Sequence, residues 1–208
     1  MADTHYAPYT KPTSTSTSTS TSKSPSKSKS KAKSKSKRDT SKRCWDWLIV
    51  HGNCHYAKNR SMFRSYRRAP GKVAGRRVLG VGTVELRVRR GPGDDRTNTL
   101  VLQDVLHMPN APCNALCIDK YRDANPDSDV EESETEDCCV RAVADADRTP
   151  LWYGHDYGHV LKVVLAGQPE GESYLGEKEG GGNMMGVVAS EEELETLWRR
   201  VREREWTF

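Results

Sequence analysis

Residues 76–109 read RRVLGVGTVELRVRRGPGDDRTNTLVLQDVLHMP, and this stretch decides the fold class. In its first half, Val84, Leu86 and Val88 alternate with other residues at the period of a strand with one buried face. Residues 91–98 supply the Gly, Pro and Asp of a hairpin turn, and a second apolar run follows. The sequence therefore predicts a β-hairpin, and with it a mainly β protein.

Apolar runs toward both ends of the chain predict further strands. Upstream, WLIV at residues 47–50 indicates a buried strand, and HGN at residues 51–53 the turn after it. Downstream, we expect strands over residues 160–166 and 184–189.

A helix is predicted over residues 191–204. Ser190 and Glu193 have the spacing of a capping box. Apolar residues then recur at helical spacing at Leu194, Leu197, Trp198 and Val201. One face of this helix is therefore expected to be buried.

The net charge of +4 is divided strongly along the chain. Residues 1–43 carry a net charge of +9 and residues 44–112 carry +7, whereas residues 113–208 carry −12. The basic and acidic parts can therefore attract each other.

Composition excludes several classes of protein. The 208 residues are 35% hydrophobic and 30% charged, as in one ordinary domain with polar extensions. No run approaches the roughly 18 apolar residues of a membrane span, and the N-terminus lacks the apolar core of a secretion signal. We therefore expect a nuclear or cytoplasmic protein, not secreted and without a membrane partner, whose six cysteines are free thiols. No cofactor, metal or small-molecule ligand is predicted.

The first 43 residues form a Ser/Thr tract that turns into a Lys/Ser alternation with almost nothing apolar to bury. This composition predicts a disordered arm over residues 1–43. The arm is either a solvating tail or a segment for nuclear localisation or for nucleic-acid binding driven by counterion release. Its candidate phosphate contacts are Lys27, Lys29, Lys31, Lys33, Lys35, Lys37 and Arg38.

An acidic stretch at residues 123–137 carries eight acids and no base. Such a stretch predicts a solvated insertion or linker, which we assign to residues 123–147. It is either a plain linker, an intramolecular partner of the basic arm or an acidic kinase substrate.

Three segments follow one another in a specific order in the middle of the chain. Residues 47–63 read WLIVHGNCHYAKNRSMF, residues 80–84 read GVGTV, and residues 100–117 read LVLQDVLHMPNAPCNALC. Their order and spacing resemble the aspartic-protease region of Copia-type retrotransposon polyproteins. The resemblance implies a retropepsin-like β-barrel over residues 44–122 and a homodimer. Residues 148–208 add strands and the C-terminal helix, either within this barrel or beside it.

The catalytic turn of that family is rewritten here. Where the family has Asp-Ser-Gly-Ala, this chain has Val50, His51, Gly52 and Asn53. An aspartic protease needs a pair of carboxylates that share a proton, and the isopropyl group of Val50 supplies neither. We therefore expect no catalytic residue, and a protease-like fold that acts as a binding or assembly module, associated with nucleic acid through its arm.

Other chemistry stays open as an alternative. A hydrolase rebuilt around Cys54 with His51 or His55 would use a thiolate nucleophile. A decayed transposon fragment would have no function at all. The pairs His51/His55 and His155/His159 have a metal-ligand spacing, but neighbouring glycines break the helix that such a pair needs.

A second basic region lies between residues 60 and 77. Its arginines are interleaved with Phe63 and Tyr66, which predicts either contact with a phosphate backbone or a solvated loop. They are Arg60, Arg64, Arg67, Arg68, Arg76 and Arg77.

Overall fold

The computed structural model describes residues 43–135, 138–158, 160–167 and 186–204. In these residues one ten-stranded sheet is accompanied by two α-helices and a 3₁₀ turn. The strands are β1 Trp47–Val50, β2 Tyr56–Ala57, β3 Phe63–Val73, β4 Arg76–Arg89, β5 Thr97–His107, β6 Asn114–Cys117, β7 Ser128–Thr135, β8 Cys138–Ala144, β9 Pro150–Asp156 and β10 Leu161–Val163. The helices are α1 Ile118–Ala124 and α2 Glu191–Glu203, and the 3₁₀ turn is Arg60–Met62. Neither α-helix of the described chain has the length and apolar character that crossing a membrane requires.

The strand order is β3-β4-β5-β2-β6-β1-β10-β9-β8-β7. Most neighbours are antiparallel, but β6 pairs in parallel with β1, and β2 pairs in parallel with β5. β6 lies between β1 and β2, although β1 and β2 are consecutive in the sequence. The turn at residues 51–55 therefore bridges over the end of β6.

The sheet is not a closed barrel, since β3 and β7 are its two unpaired edges. The predicted mainly β class and C-terminal helix are confirmed, whereas the closed barrel is wrong. The physical reason is that β7–β10 continue the sheet from the side of β1 that faces away from β6, so the sheet keeps two edge strands. The sheet instead folds over on itself, and backbone hydrogen bonds join Arg89 to Val164 and Ala166 to Arg87.

The acidic segment was also mispredicted, because residues 128–135 form strand β7 rather than a solvated insertion. β7 pairs with β8, and Val130 is buried in the core. Glu131 accepts a hydrogen bond from Arg141 of β8 at 2.8 Å. The acids can lie in a strand because β7 is an edge, where water and Arg141 of β8 solvate them.

Two apolar clusters form the core. One contains Leu48, Val50 and Tyr56 and receives Leu197 and Val201 of α2. The other surrounds Trp47 and Trp152 and includes Val84, Leu86 and Val88, which are buried as predicted.

The start of α2 has the predicted capping box. The Ser190 hydroxyl accepts from the Glu193 N–H at 3.2 Å, and the Glu193 carboxylate accepts from the Ser190 N–H at 3.1 Å. These two bonds fix where the helix begins, directly after residues 186–189, which lie against the 51–55 turn.

Candidate functional site

The position that the resemblance assigns to the catalytic aspartate lies inside the protein. Val50 ends β1, is only 8% exposed and packs in the core cluster with Cys54 and Val187. An ionised carboxylate in this apolar surrounding would lose its hydration without gaining a partner. Val50 is therefore a core residue.

The next two residues of the turn are bound by a carboxylate that the sequence reasoning missed. Asp119 accepts a hydrogen bond from the Gly52 N–H at 3.0 Å, and its Oδ2 lies 3.2 Å from Nδ1 of His51. The Gly52 N–H, with a further contribution from His51, lowers the pKa of Asp119. Asp119 lies in the first turn of α1, which β6 places beside the turn. Ile118 and Tyr121, three residues apart, indicate the short helix, but nothing in the sequence places this helix beside the turn.

The outer side of the turn is occupied by residues 186–190 of the same chain. The Asn53 N–H donates to the Val187 carbonyl at 3.0 Å, and Cys54 forms an isolated β-bridge with Val187. The Asn53 side chain forms two further bonds to the backbone of Ala189. Of the strand predicted over residues 184–189, residues 184 and 185 lie outside the described residues, and the rest forms this single bridge.

The two backbones approach so closely that glycine is required on both sides. A Cβ on Gly186 would lie 1.4 Å from the His51 carbonyl oxygen. A Cβ on Gly52 would lie 2.5 Å from the Val187 carbonyl oxygen, and Gly52 has φ +135°. Since no side chain fits between them, this contact belongs to the fold itself.

Cys54 and His55 do not form a nucleophilic pair. Burial raises the pKa of the Cys54 thiol to about 11, and its Sγ donates to Asn53 Oδ1 at 3.3 Å. His55 Nδ1 accepts from the Cys117 N–H at 3.0 Å, and burial lowers the pKa of this imidazole to about 3. The thiol therefore stays protonated and the imidazole stays neutral near neutral pH. The geometry gives no support to the rebuilt Cys/His site.

The histidine pairs do not meet at a metal site. His51 faces Asp119, whereas His55 faces the backbone of Cys117. His155 lies on β9 with its ring 6.3 Å from that of Tyr157, and His159 is outside the described residues. Within the part of the chain that the structure describes, no group of three or more His, Cys, Asp or Glu side chains could hold an ion.

The basic region between residues 60 and 77 belongs largely to the β3–β4 hairpin, not to a loop. Its exposed bases are Arg60, Arg64, Arg67, Arg68, Lys72 and Arg77, and Arg76 is half-buried. Because β3 is an edge strand, these side chains border solvent along one side of the sheet.

The aromatic residues of this region pack against each other and against neighbouring side chains. Phe63 is buried and meets Tyr66 edge-on at 5.4 Å. The Tyr66 hydroxyl donates to His107 Nδ1 at 2.9 Å, and burial lowers the pKa of His107, which favours its neutral acceptor form. The Arg60 guanidinium lies 3.9 Å from the centre of the Tyr66 ring. The hairpin can therefore contact phosphates with its bases, but it offers no free ring for base stacking.

The arm bases Lys27, Lys29, Lys31, Lys33, Lys35, Lys37 and Arg38 lie outside the described residues. Comparisons with protein-family models, with curated proteins and with solved structures found no match for this chain. Function is therefore inferred from the residues described above.

Proposed function

We propose that this chain is a binding or assembly module of retrotransposon aspartic-protease type that does not catalyse proteolysis and that contacts nucleic acid through its basic arm. The observation that carries the proposal is the 51–55 turn. Val50 occupies the catalytic position as a buried side chain, and residues 186–190 occupy the outer side of the turn. Val50 therefore supplies no carboxylate that could activate water.

The arrangement of the strands supports the protease-like part of the proposal. The segments that carry the resemblance are neighbours in the sheet, because β6 lies between β1 and β2 and β5 pairs with β2. Asn114, the first residue of β6, joins its own segment to the first segment and to the residues just before it. Its Nδ2 donates to the carbonyls of Cys44 and Asp46, and its Oδ1 accepts from the Lys58 N–H at 2.9 Å.

The proposal does not extend to the homodimer that the resemblance implies. The turn is the part of the fold on which that dimer would depend, and its hydrogen-bonding groups are already paired with Val187 and Ala189 of the same chain.

Charge supports the nucleic-acid part of the proposal. Residues 1–43 carry a net charge of +9, and the β3–β4 hairpin adds exposed arginines on an edge strand. Contacts of this kind release counterions, so the affinity falls linearly with salt on a logarithmic scale and depends little on sequence. The hairpin is a second surface that contacts the phosphate backbone of the nucleic acid.

A salt titration of nucleic-acid binding tests this part. Fluorescence anisotropy would compare the full chain with a full-length variant in which the seven arm bases are Ser. A matched variant would replace Arg64, Arg67 and Arg68 of the hairpin by Gln. We expect a steep salt dependence that the arm variant loses and the hairpin variant reduces. Binding that the arm variant retains in full, or no binding by the unchanged protein, would contradict the proposal.

A proteolysis assay tests the proposal that the chain does not cleave peptides. The full chain is incubated with a mixed peptide library from acidic to neutral pH, with and without an aspartic-protease inhibitor. We expect no cleavage above a heat-treated control. Cleavage that the inhibitor abolishes would contradict the proposal, and cleavage that a Cys54→Ser variant loses would favour the rebuilt thiol site.

A further inference from the structure

A cavity of about 380 Å³ lies where the residues that follow β4 approach β7, β8 and β9. We call it the Ser133 cavity. Its lining includes Ser133 of β7, Arg141 of β8 and Arg90, the first residue after β4. Pro150 and Tyr153 of β9 contribute further lining atoms. A serine hydroxyl and two guanidinium groups therefore border one space.

The sequence around Ser133 is strongly acidic. Six of the eight residues within four positions of it are acids: Asp129, Glu131, Glu132, Glu134, Glu136 and Asp137. Charge complementarity makes such a segment a substrate for a protein kinase whose peptide groove is basic. Ser128 lies in the same stretch, and four of the eight residues around it are acids. The sequence alone therefore leaves two candidate serines.

The structure separates the two serines. The Ser128 hydroxyl donates to the Asn125 carbonyl at 3.0 Å and lies 3.4 Å from the Tyr121 hydroxyl, in the turn between α1 and β7. A phosphate on Ser128 would disrupt this turn. Ser133 is partly exposed and lies in an edge strand, at the point where the β7–β8 register shifts. An edge strand is paired on one side only, so this segment can leave the sheet and enter a kinase groove more easily than an inner strand.

Arg90 is a donor that the fold does not use. Its Nε is buried and meets no acceptor among the described residues, and no described carboxylate lies within ion-pair distance of it. Asp94 and Asp147 interact with its charge only over a longer distance. Their own hydrogen bonds go to Arg96 and Thr149. A partly buried guanidinium without a counter-charge favours an anion in the cavity.

Arg141 can contact the same anion without giving up its present partner. Its Nε donates to the Glu131 carboxylate at 2.8 Å, and its side chain is half exposed. A guanidinium has five N–H donors, so Arg141 can bind a second anion at the same time. Glu131 also pairs with Arg148, and two cations therefore balance this carboxylate. Its repulsion of another anion is correspondingly small.

We propose that an acid-directed protein kinase phosphorylates Ser133 and that Arg90 and Arg141 bind the phosphate in the Ser133 cavity. The kinase transfers the γ-phosphoryl group of ATP. A bond forms between Ser133 Oγ and phosphorus, the bond from phosphorus to the bridging oxygen of ADP breaks, and a kinase carboxylate takes the hydroxyl proton. The phosphoserine carries a charge of about −2 and accepts charge-assisted hydrogen bonds from both guanidinium groups. This site is independent of the arm and of the absence of proteolysis.

Phosphorylation of the full chain in vitro tests the modification. The probe is casein kinase II with ATP, since this kinase selects serines that are followed by acids. Mass spectrometry of peptides locates the phosphate, and we expect it on Ser133. Ser133→Ala is expected to take up no phosphate in this stretch. Ser128→Ala is the matched control and is expected to take up as much as the unchanged protein.

Thermal unfolding tests the binding of the phosphate. We expect phosphorylation to raise the melting temperature by about 3 °C, because the new bonds join the end of β4 to β7 and β8. In Arg90→Gln the kinase is expected to act as before, but the rise should shrink to less than about 1 °C. Arg87→Gln removes an exposed charge from β4 and is expected to keep the full rise.

Several results would overturn the proposal. A phosphate on Ser128 or Thr135 instead of Ser133, or no phosphate in this stretch, would exclude the modification. An unchanged or lower melting temperature of the phosphoprotein, or an equal rise in Arg90→Gln, would exclude the binding by Arg90. If Arg90→Gln fails to fold, as judged by circular dichroism, a phosphorus NMR titration of the unchanged phosphoprotein takes its place. Bound guanidinium groups are expected to lower the second pKa of the phosphate below its ordinary value of about 6, and a value at or above it would contradict the proposal.

Discussion

Asn53 and Ala189 hold each other through two hydrogen bonds: Asn53 Nδ2 donates to the Ala189 carbonyl at 2.8 Å, and the Ala189 N–H donates to Asn53 Oδ1 at 2.8 Å. One side-chain amide thus satisfies both backbone groups of a residue 136 positions away. These two bonds fix the segment before α2 against the turn that follows β1. The same segment covers Val50, because Val187 packs with Val50 in the core.

Loss of the Asn53 amide is expected to loosen the contact between residues 186–189 and the turn. Asn53→Ala leaves both backbone groups of Ala189 unpaired, so we expect the free energy of unfolding to fall by about 2 kcal/mol. Cys54 is only 1% exposed, and we expect it to react faster with a thiol reagent in the variant. Urea unfolding and thiol-modification rates measure the two effects. Gln103→Ala, at an exposed position of β5, is the control, and equal behaviour of the two variants would contradict the prediction.

A methyl group at Gly186 is expected to have a larger effect than the loss of Asn53. The added Cβ would lie 1.4 Å from the His51 carbonyl oxygen, so residues 186–189 must move away. The Asn53 N–H would then lose its bond to Val187, and we expect its hydrogen-exchange protection to disappear. Gly91→Ala is the matched control, because a Cβ there meets no atom within 4 Å. Retained protection of the Asn53 amide in Gly186→Ala would show that the segment does not need this glycine.

The protein is expected to lose stability in mild acid because of His55. Its pKa is lowered from 6.5 to about 3 in the folded state. Between these two pH values the unfolded chain therefore binds a proton that the folded chain does not. Stability therefore falls as the pH decreases from 6.5 to 3, with a slope approaching about 1 kcal/mol per pH unit.

The variant His55→Gln separates this effect from that of other groups. It keeps an acceptor for the Cys117 N–H but cannot titrate, so its stability is expected to change less over the same pH range. The pKa of Asp119 is lowered from 3.8, so this carboxyl affects stability only near and below pH 3.8. The pKa of His107 is also lowered, so we expect the variant to keep part of the pH dependence of stability. Urea unfolding at several pH values measures the difference. Parallel profiles of the variant and the unchanged protein would exclude His55 as the cause.

An ion pair between the partly exposed Lys162 and the buried Asp46 holds β10 near the start of β1. Lys162 Nζ lies 2.5 Å from Asp46 Oδ1, and the Asp46 side chain is only 6% exposed. Lys162→Met leaves a buried carboxylate without this cation, so we expect a loss of about 3–5 kcal/mol in the free energy of unfolding. The double variant Asp46→Asn/Lys162→Met is expected to recover part of this loss. If Lys162→Met were as stable as the unchanged protein, the pair would contribute nothing.

Local sequence patterns predicted the elements that need only local information. The β4–β5 hairpin has period-two alternation and a turn rich in Gly and Asp, and α2 has its own capping box. In both cases neighbouring residues determine the conformation, so their identities suffice.

The missed elements depend on distant parts of the chain. β7 has acids at half of its eight positions and becomes a strand because β8 pairs with it. Asp119 reaches the turn because β6 lies beside β1, and residues 186–190 reach it because Gly52 and Gly186 permit the approach. None of these contacts has a sequence period that could reveal it.

The position of β6 between β1 and β2 has a consequence for the order of folding. Tyr56 pairs with Ala115 and Val50 pairs with Cys117, so the middle of the sheet cannot assemble until the chain has been synthesised past β6. The β4–β5 hairpin can form earlier from adjacent residues, whereas β1 and β2 must wait with unpaired backbone groups. Folding is therefore limited by the closure of long loops, and the nascent chain exposes its most apolar strand, WLIV, during that delay.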